Sequence, residues 1–312
     1  MTDRYILDLS SPESRSELRC GEKGADLAVL AGEAFPVPEG FVVTTDAFSS
    51  FLAKPGLSSI HRKLQTADSD RSIALVEELR QQILATDLPR RLEEEVSRTL
   101  DLYQNGSPAF WAVRSSPAAA GTELRRDTRC YDTVLGVSTA EVGAAIRQVW
   151  SSAFTERAAR CRRELKSLEV RMAVVVQKLL RAEAAGICCT VDPLRPKDRM
   201  FVFANYGLGE SVVGATVMPD THVVDRHSLQ SIMDIMGSKT MQIVARAGGI
   251  AETGVPGDKQ KRFCLSPTQV GCIAKLAMAV EAQQGKPVGI EWAYEDETLY
   301  LLAARPITAS SE

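Results

Sequence analysis

Met172-Ala-Val-Val-Val-Gln177 places three consecutive β-branched residues in an uncharged run, a composition that fits a buried strand. Further strands are predicted over 41–45, 109–113, 186–190, 200–204, 221–225, 288–294 and 298–303, the last two joined by a Glu-Asp-Glu turn. Helical periodicity falls between them. Ile73, Val76, Leu79 and Ile83 share one helix face, and Leu92, Val96 and Leu100 another that starts at Pro89 and ends near Asn105-Gly106. Ser138-Thr-Ala-Glu141 is a capping box opening a helix through Val142, Ile146 and Val149, and Ser266-Pro-Thr-Gln269 caps a helix with Val270, Ile273, Ala277 and Val280 inward, closed by Gly285. The segment 20–30 reads as a loop running into a short helix. Strands and helices mix without regular βαβ alternation, so the expected class is α+β with two lobes rather than a doubly wound sheet.

Composition narrows the function classes. The 312 residues are 45% hydrophobic and 25% charged with a formal net charge of -3, which is ordinary for a globular chain. No apolar run approaches the roughly 20 residues of a bilayer span, and the first residues carry no secretory pattern. The expectation is a cytoplasmic protein with no membrane and no nucleic-acid partner. Arg125, Arg126 and Arg129 cluster, as do Arg157, Arg160, Arg162 and Arg163, and the second group reads as a solvated helix face. Seven cysteines without a C-x-x-C pair are expected to be reduced, and three scattered histidines (His61, His222, His227) make no metal site.

Several residues could carry chemistry. Lys23, between Gly21 and Gly24 and just before a helix, is either a solvated lysine or one that holds an anion beside a glycine backbone. Arg114 follows an apolar strand and precedes two serines, which suits either an ion pair or capture of phosphate or carboxylate by its guanidinium fork. Gln177 either caps a strand end or offers an amide to an adenine edge. The glycine-rich stretch 207–211 and Met218-Pro-Asp220 read as turns. Glu291 sits within the apolar Gly289-Ile-Glu-Trp-Ala293, where a carboxylate needs a partner: Arg305 in an ion pair, or Mg²⁺ with Arg305 turned to phosphate.

The order of these elements is more specific than any one of them. Gly21-Glu-Lys-Gly-Ala-Asp-Leu-Ala, Phe35-Pro-Val-Pro-Glu-Gly-Phe-Val-Val-Thr-Thr45 and Ala112-Val-Arg-Ser-Ser116 are followed by Val174-Val-Val-Gln177, Gly207-Leu-Gly-Glu210, Ile290-Glu-Trp-Ala293 and Ala304-Arg-Pro-Ile-Thr308. Across nearly its whole length the sequence resembles the N-terminal nucleotide-binding domain of phosphoenolpyruvate synthase, pyruvate phosphate dikinase and rifampin phosphotransferase. The resemblance implies an ATP-grasp fold with lobes over 1–176 and 177–312 and the ligand cleft between them. It also implies ATP and Mg²⁺ as cofactors. Lys23 and Arg114 then hold phosphates, Thr133 lines the phosphate region, Gln177 meets adenine, Glu291 binds Mg²⁺ and Arg305 neutralises the transferring phosphate.

Three positions depart from the family pattern. Arg129, in Arg126-Asp-Thr-Arg-Cys130, replaces a loop glycine; Ala303 replaces a metal-holding glutamine; and Gly289 replaces an aspartate. The family's phosphohistidine carrier and acceptor domains have no counterpart in these residues, and the chain reads equally as a piece of a longer enzyme. Two functions therefore stand. One is an ATP-dependent phosphotransferase module, kinase-like, acting on a small molecule or a separate carrier. The alternative is a degenerate or repurposed ATP-grasp protein that binds a nucleotide or metabolite without phosphoryl transfer.

Overall fold

The computed structural model describes residues 4–66, 69–104, 110–118, 130–164, 170–192, 198–246 and 248–307. They divide into two compact units, Met1–Ala34 with Glu39–Leu179, and Phe35–Pro38 with Leu180–Glu312. The named strand pairs are all antiparallel and the helices fall between them without regular βαβ alternation, so the class is α+β, as expected.

The first unit contains β1 (Ile6–Asp8), α1 (Glu17–Gly32), β2 (Gly40–Val43), α2 (Thr45–Leu52), α3 (Pro55–Thr66), α4 (Ser69–Ala85), α5 (Arg90–Gln104), β3 (Phe110–Pro117), β4 (Thr133–Ser138), α6 (Val142–Ser152), α7 (Glu156–Glu164) and β5 (Met172–Lys178). Its sheet has the order β1-β2-β5-β3-β4. The β-branched run forms β5, the central strand of the five, and is buried from Met172 to Gln177. Strand alternation sends Val174 and Val176 to one face with Phe41, Trp111 and Val113, where Phe48, Phe51 and Trp150 complete the core. The opposite face receives α1, with Gly24 against Val42.

Three local expectations are corrected. The segment expected to begin as a loop is helical from Glu17, with a break at Gly21 (φ 67°, ψ 172°). The strand expected to stop at Val113 runs on to Pro117, because β5 offers backbone partners as far as the Pro117–Met172 pair; Arg114 therefore lies inside the strand. Ile73, assigned to the inner face of its helix, is 75% exposed, whereas Leu79 and Ile83 are fully buried. Ile73 projects past the core that Leu79 and Ile83 enter, while Leu75 and Val76 are partly buried against it. Asn105, Gly106 and the arginines at 125, 126 and 129 lie outside the described residues.

The second unit contains β6 (Ala184–Cys189), β7 (Arg199–Tyr206), α8 (Glu210–Val213), β8 (Asp220–Asp225), β9 (Ser231–Ile235), β10 (Met241–Arg246), β11 (Gly249–Gly254), α9 (Gly257–Gln260), α10 (Pro267–Gln284), β12 (Val288–Glu295) and β13 (Thr298–Pro306). Six strands pair in the order β13-β12-β6-β7-β8-β9, and β10-β11 form a ribbon. The Ser266–Gln269 capping box starts α10 and a left-handed Gly285 (φ 67°) ends it, with Val270, Ile273, Ala277 and Val280 buried. Pro36, from the short N-terminal insertion, accepts a hydrogen bond from the Leu301 N–H at 2.8 Å.

One expectation about cysteines is overturned. Cys130 and Cys161 form a disulfide with Cα atoms 6.3 Å apart. The fold brings α7 beside the start of β4, a proximity across 31 positions that spacing does not reveal. Arg157 of α7 reinforces it, donating to the Cys130 carbonyl (3.3 Å) and pairing with Asp132 (2.6 Å). By loop-closure entropy, opening the bridge costs about 3–4 kcal/mol. The C130S/C161S protein is expected to lose that amount in urea unfolding with a larger m-value, because the unbridged denatured chain exposes more surface.

Candidate functional site

Four of the six residues singled out from the sequence belong to the first unit. Antiparallel register sets Ala112 of β3 opposite Gln177 of β5, and Arg114 opposite Val175; on its other side Arg114 is opposite Thr133 of β4. The two-residue strand period then puts Arg114, Gln177 and Thr133 on the face away from the aromatic core. Arg114 Nη1 reaches Gln177 Oε1 at 3.4 Å, and Gln177 is only 2% exposed. Lys23 arrives from α1, its Nζ donating to the Ser115 carbonyl at 3.1 Å, one residue from Arg114. Two cations, an amide and a hydroxyl thus converge on one sheet face beside a glycine that breaks a helix.

Ser116 was read only as a neighbour of Arg114, yet it organises the approach of α1. Its Oγ donates to the Cys20 carbonyl (2.7 Å) and accepts from the Gly24 N–H (2.9 Å), fully buried. Gly21 makes room for this contact, since a Cβ there would lie 2.0 Å from the Ser116 carbonyl oxygen. No local pattern announces a contact spanning 92 positions.

The remaining two residues lie in the second unit. Glu291 of β12 faces Ala303 of β13, and the register shifts between Glu291 and Trp292. Such an irregularity re-aims side chains at a strand edge. Arg305, opposite Gly289, places Nη2 3.4 Å from Glu291 Oε1, with the two side chains 45% and 19% exposed. A Cβ on Gly289 would stand 3.9 Å from Ile307, ordinary contact, so no steric demand explains the loss of the aspartate there. Ala303, 7% exposed, brings no oxygen to Glu291. Among the described residues no three His, Cys, Asp or Glu side chains gather as a metal cage. The donor set suits Mg²⁺ held by one carboxylate with water and substrate phosphate rather than an all-protein site.

Thiol chemistry has no support near these residues. Burial raises the Cys20 thiol to about 11, and burial also pushes Cys188, Cys189 and Cys264 up, leaving them protonated at neutral pH.

This arrangement, cations and an amide on a sheet face in one unit and a carboxylate–arginine pair in the other, accompanies a match of residues 17–312 to the pyruvate phosphate dikinase AMP/ATP-binding domain. The chain belongs to that family. Relatives of the AMP/ATP-binding domain include a probable phosphoenolpyruvate synthase of Methanocaldococcus jannaschii, 33% identical over 318 residues covering 98% of this chain and 27% of that protein. A rifampicin phosphotransferase of Streptomyces sviceus is 33% identical over 99% of this chain and 36% of its own length. An uncharacterized phosphotransferase of Bacillus subtilis is 32% identical over 97% of this chain and 35% of its own. The AMP/ATP-binding domain described by these residues thus spans about a third of such relatives. Among its described residues no helix is long and apolar enough to cross a membrane.

Proposed function

We propose that this domain binds Mg-ATP and transfers a phosphoryl group from it to a small-molecule acceptor or to a histidine on a separate carrier domain. The observation that carries this reading is the convergence of Lys23, Arg114, Gln177 and Thr133 on one face of the first unit's sheet. Phosphoryl transfer requires little covalent work from a protein and is accelerated chiefly by positioning and charge stabilisation. Lys23 and Arg114 are the cations that hold phosphates, Thr133 lines their region, and Gln177 offers its amide to the adenine edge. Glu291 supplies one carboxylate oxygen to Mg²⁺, and Arg305 neutralises charge on the phosphoryl group in transit. ATP as donor puts the reaction in the cytoplasm. The rifampicin phosphotransferase and phosphoenolpyruvate synthase relatives agree with phosphoryl chemistry, and the acceptor follows from neither name.

One observation favours the second reading, a nucleotide- or metabolite-binding domain without transfer. Glu291 lies 3.4 Å from Arg305 and faces Ala303, so its charge is already met without a metal. Titration calorimetry with ATP, with and without Mg²⁺, separates the two. Phosphoryl transfer requires Mg-dependent ATP binding that weakens about 10–100-fold in K23A or R114A, loses its Mg²⁺ dependence in E291A, and tightens in A303Q. ATP binding indifferent to Mg²⁺ and to both Glu291 and residue 303 supports the second reading. Absence of ATP binding under either condition overturns the first.

A further inference from the structure

We infer that Ser116 is a positioning residue for the proposed nucleotide site: its buried hydroxyl caps the helix segment that presents Lys23. The inference rests on the reading of Lys23 as a phosphate-holding group. Gly21 interrupts α1 with φ 67° and ψ 172°, so a new helical segment starts at Glu22. The first N–H groups of any such segment lack partners inside the helix, and a side-chain oxygen just before it ordinarily accepts from the second or third of them. Gly21 occupies that preceding position and has no side chain. Ser116, on β3, supplies the missing oxygen from outside, accepting from the Gly24 N–H at 2.9 Å. Its proton goes to the Cys20 carbonyl at 2.7 Å, the last carbonyl before the break. One hydroxyl thus fastens both sides of the kink.

Why the kink is needed follows from the glycine. Any side chain at 21 would collide with the Ser116 backbone, its Cβ falling 2.0 Å from the carbonyl oxygen. A capping residue within α1 is therefore sterically barred, and the cap has to come from the strand that α1 approaches. That strand also carries Arg114, and its Ser115 carbonyl receives Lys23 Nζ at 3.1 Å. The Ser116 hydroxyl consequently fixes Lys23 relative to Arg114: the lysine stands one residue from the capped amide, and its partner carbonyl is one residue from the capping serine. Ser116 and Ser115, 0% and 2% exposed, have no room to swing this linkage elsewhere. The role is distinct from phosphate contact, which belongs to Lys23 and Arg114.

The test measures ATP affinity by calorimetry in the wild-type, S116A, K23A and S116A/K23A proteins, each first shown by a cooperative thermal melt to be folded. S116A is expected to bind ATP about tenfold more weakly, the size of one lost hydrogen bond to a group that orients a charge. In the K23A background the same change is expected to alter affinity by less than about twofold, because the cap then has no lysine to present. S116C, nearly isosteric with a weaker sulfur acceptor, is expected to fall between serine and alanine, and it replaces S116A in the cycle should the alanine protein not fold. Wild-type affinity in S116A, or the same tenfold loss on top of K23A, overturns the positioning role and leaves a purely structural serine. A wild-type protein that binds no ATP at all instead removes the functional reading on which the inference stands. The two failures are thus told apart by the wild-type titration alone.

Discussion

Replacing Gly21 with alanine is expected to destabilise the first unit by about 4 kcal/mol, combining roughly 1–3 kcal/mol for a side chain in a glycine-only backbone region with roughly 1–3 kcal/mol for overpacking. The backbone at Gly21 has φ 67° and ψ 172°. An added Cβ would meet the Ser116 carbonyl oxygen at 2.0 Å, its Oγ at 2.4 Å and its carbonyl carbon at 2.5 Å. None of these atoms can withdraw cheaply, because Ser116 is paired with the fully buried Ala173 of β5. Relief requires α1 to move away from the sheet, which also takes Lys23 away from the Ser115 carbonyl. Urea unfolding of G21A should show the loss in midpoint, and calorimetry should show ATP affinity falling with it. A G21A protein of wild-type stability would contradict this account of the kink.

The second large effect is expected at Asp220, where alanine should cost about 3–5 kcal/mol, the range for breaking a buried ion pair from one side. Asp220 and Lys239 are both fully buried and paired. Asp220 Oδ1 also accepts from the Gly237 N–H at 2.9 Å, and Oδ2 from the Cys264 N–H at 2.9 Å. Truncation strands a buried ammonium and two backbone donors at once. The D220A/K239M double variant should recover much of the loss, since replacing both charges removes the stranded cation along with the carboxylate. Equilibrium unfolding of the single and double variants decides the matter: equal losses in both would show that the backbone donors, not the lysine, set the cost.

Much of the fold was legible where local chemistry and tertiary structure agree. The β-branched run of β5 lies against the sheet's core, the Ser266–Gln269 box starts α10, and Gly285 ends it in the left-handed conformation those signals require. The candidate residues drew notice for a related reason. Polar groups at or within apolar strands are expensive to bury without a partner, which made Arg114 and Gln177 at strand ends and Glu291 within a strand conspicuous. What escaped the sequence is non-local. Ser116 reaches Gly24 across 92 positions, Cys130 reaches Cys161 across 31, and Asp220 reaches Lys239 across 19. Pro219-Asp220 reads as a turn, and no nearby pattern says that its carboxylate will be buried with a lysine. Strands β9, β10 and β11 were missed because short alternating segments with exposed Ile232, Met233, Ile235 and Ile250 lack the apolar continuity of the inner strands.

Residues Phe35–Pro38 belong to the second unit although they lie between α1 and β2 of the first. The Leu301 N–H that donates to Pro36 sits on β13, the outer strand of the six-stranded sheet. The chain therefore passes from one unit to the other at three junctions, not one. That threading governs modularity. A recombination event that exchanged only the stretch after Leu179 would graft in a sheet whose edge had lost its native partner segment, and would leave four orphaned residues in the recipient. Inheritance of the whole domain is the one exchange that keeps both units intact, so shuffling among multidomain relatives is expected to have its breakpoints outside it and not at the internal boundary.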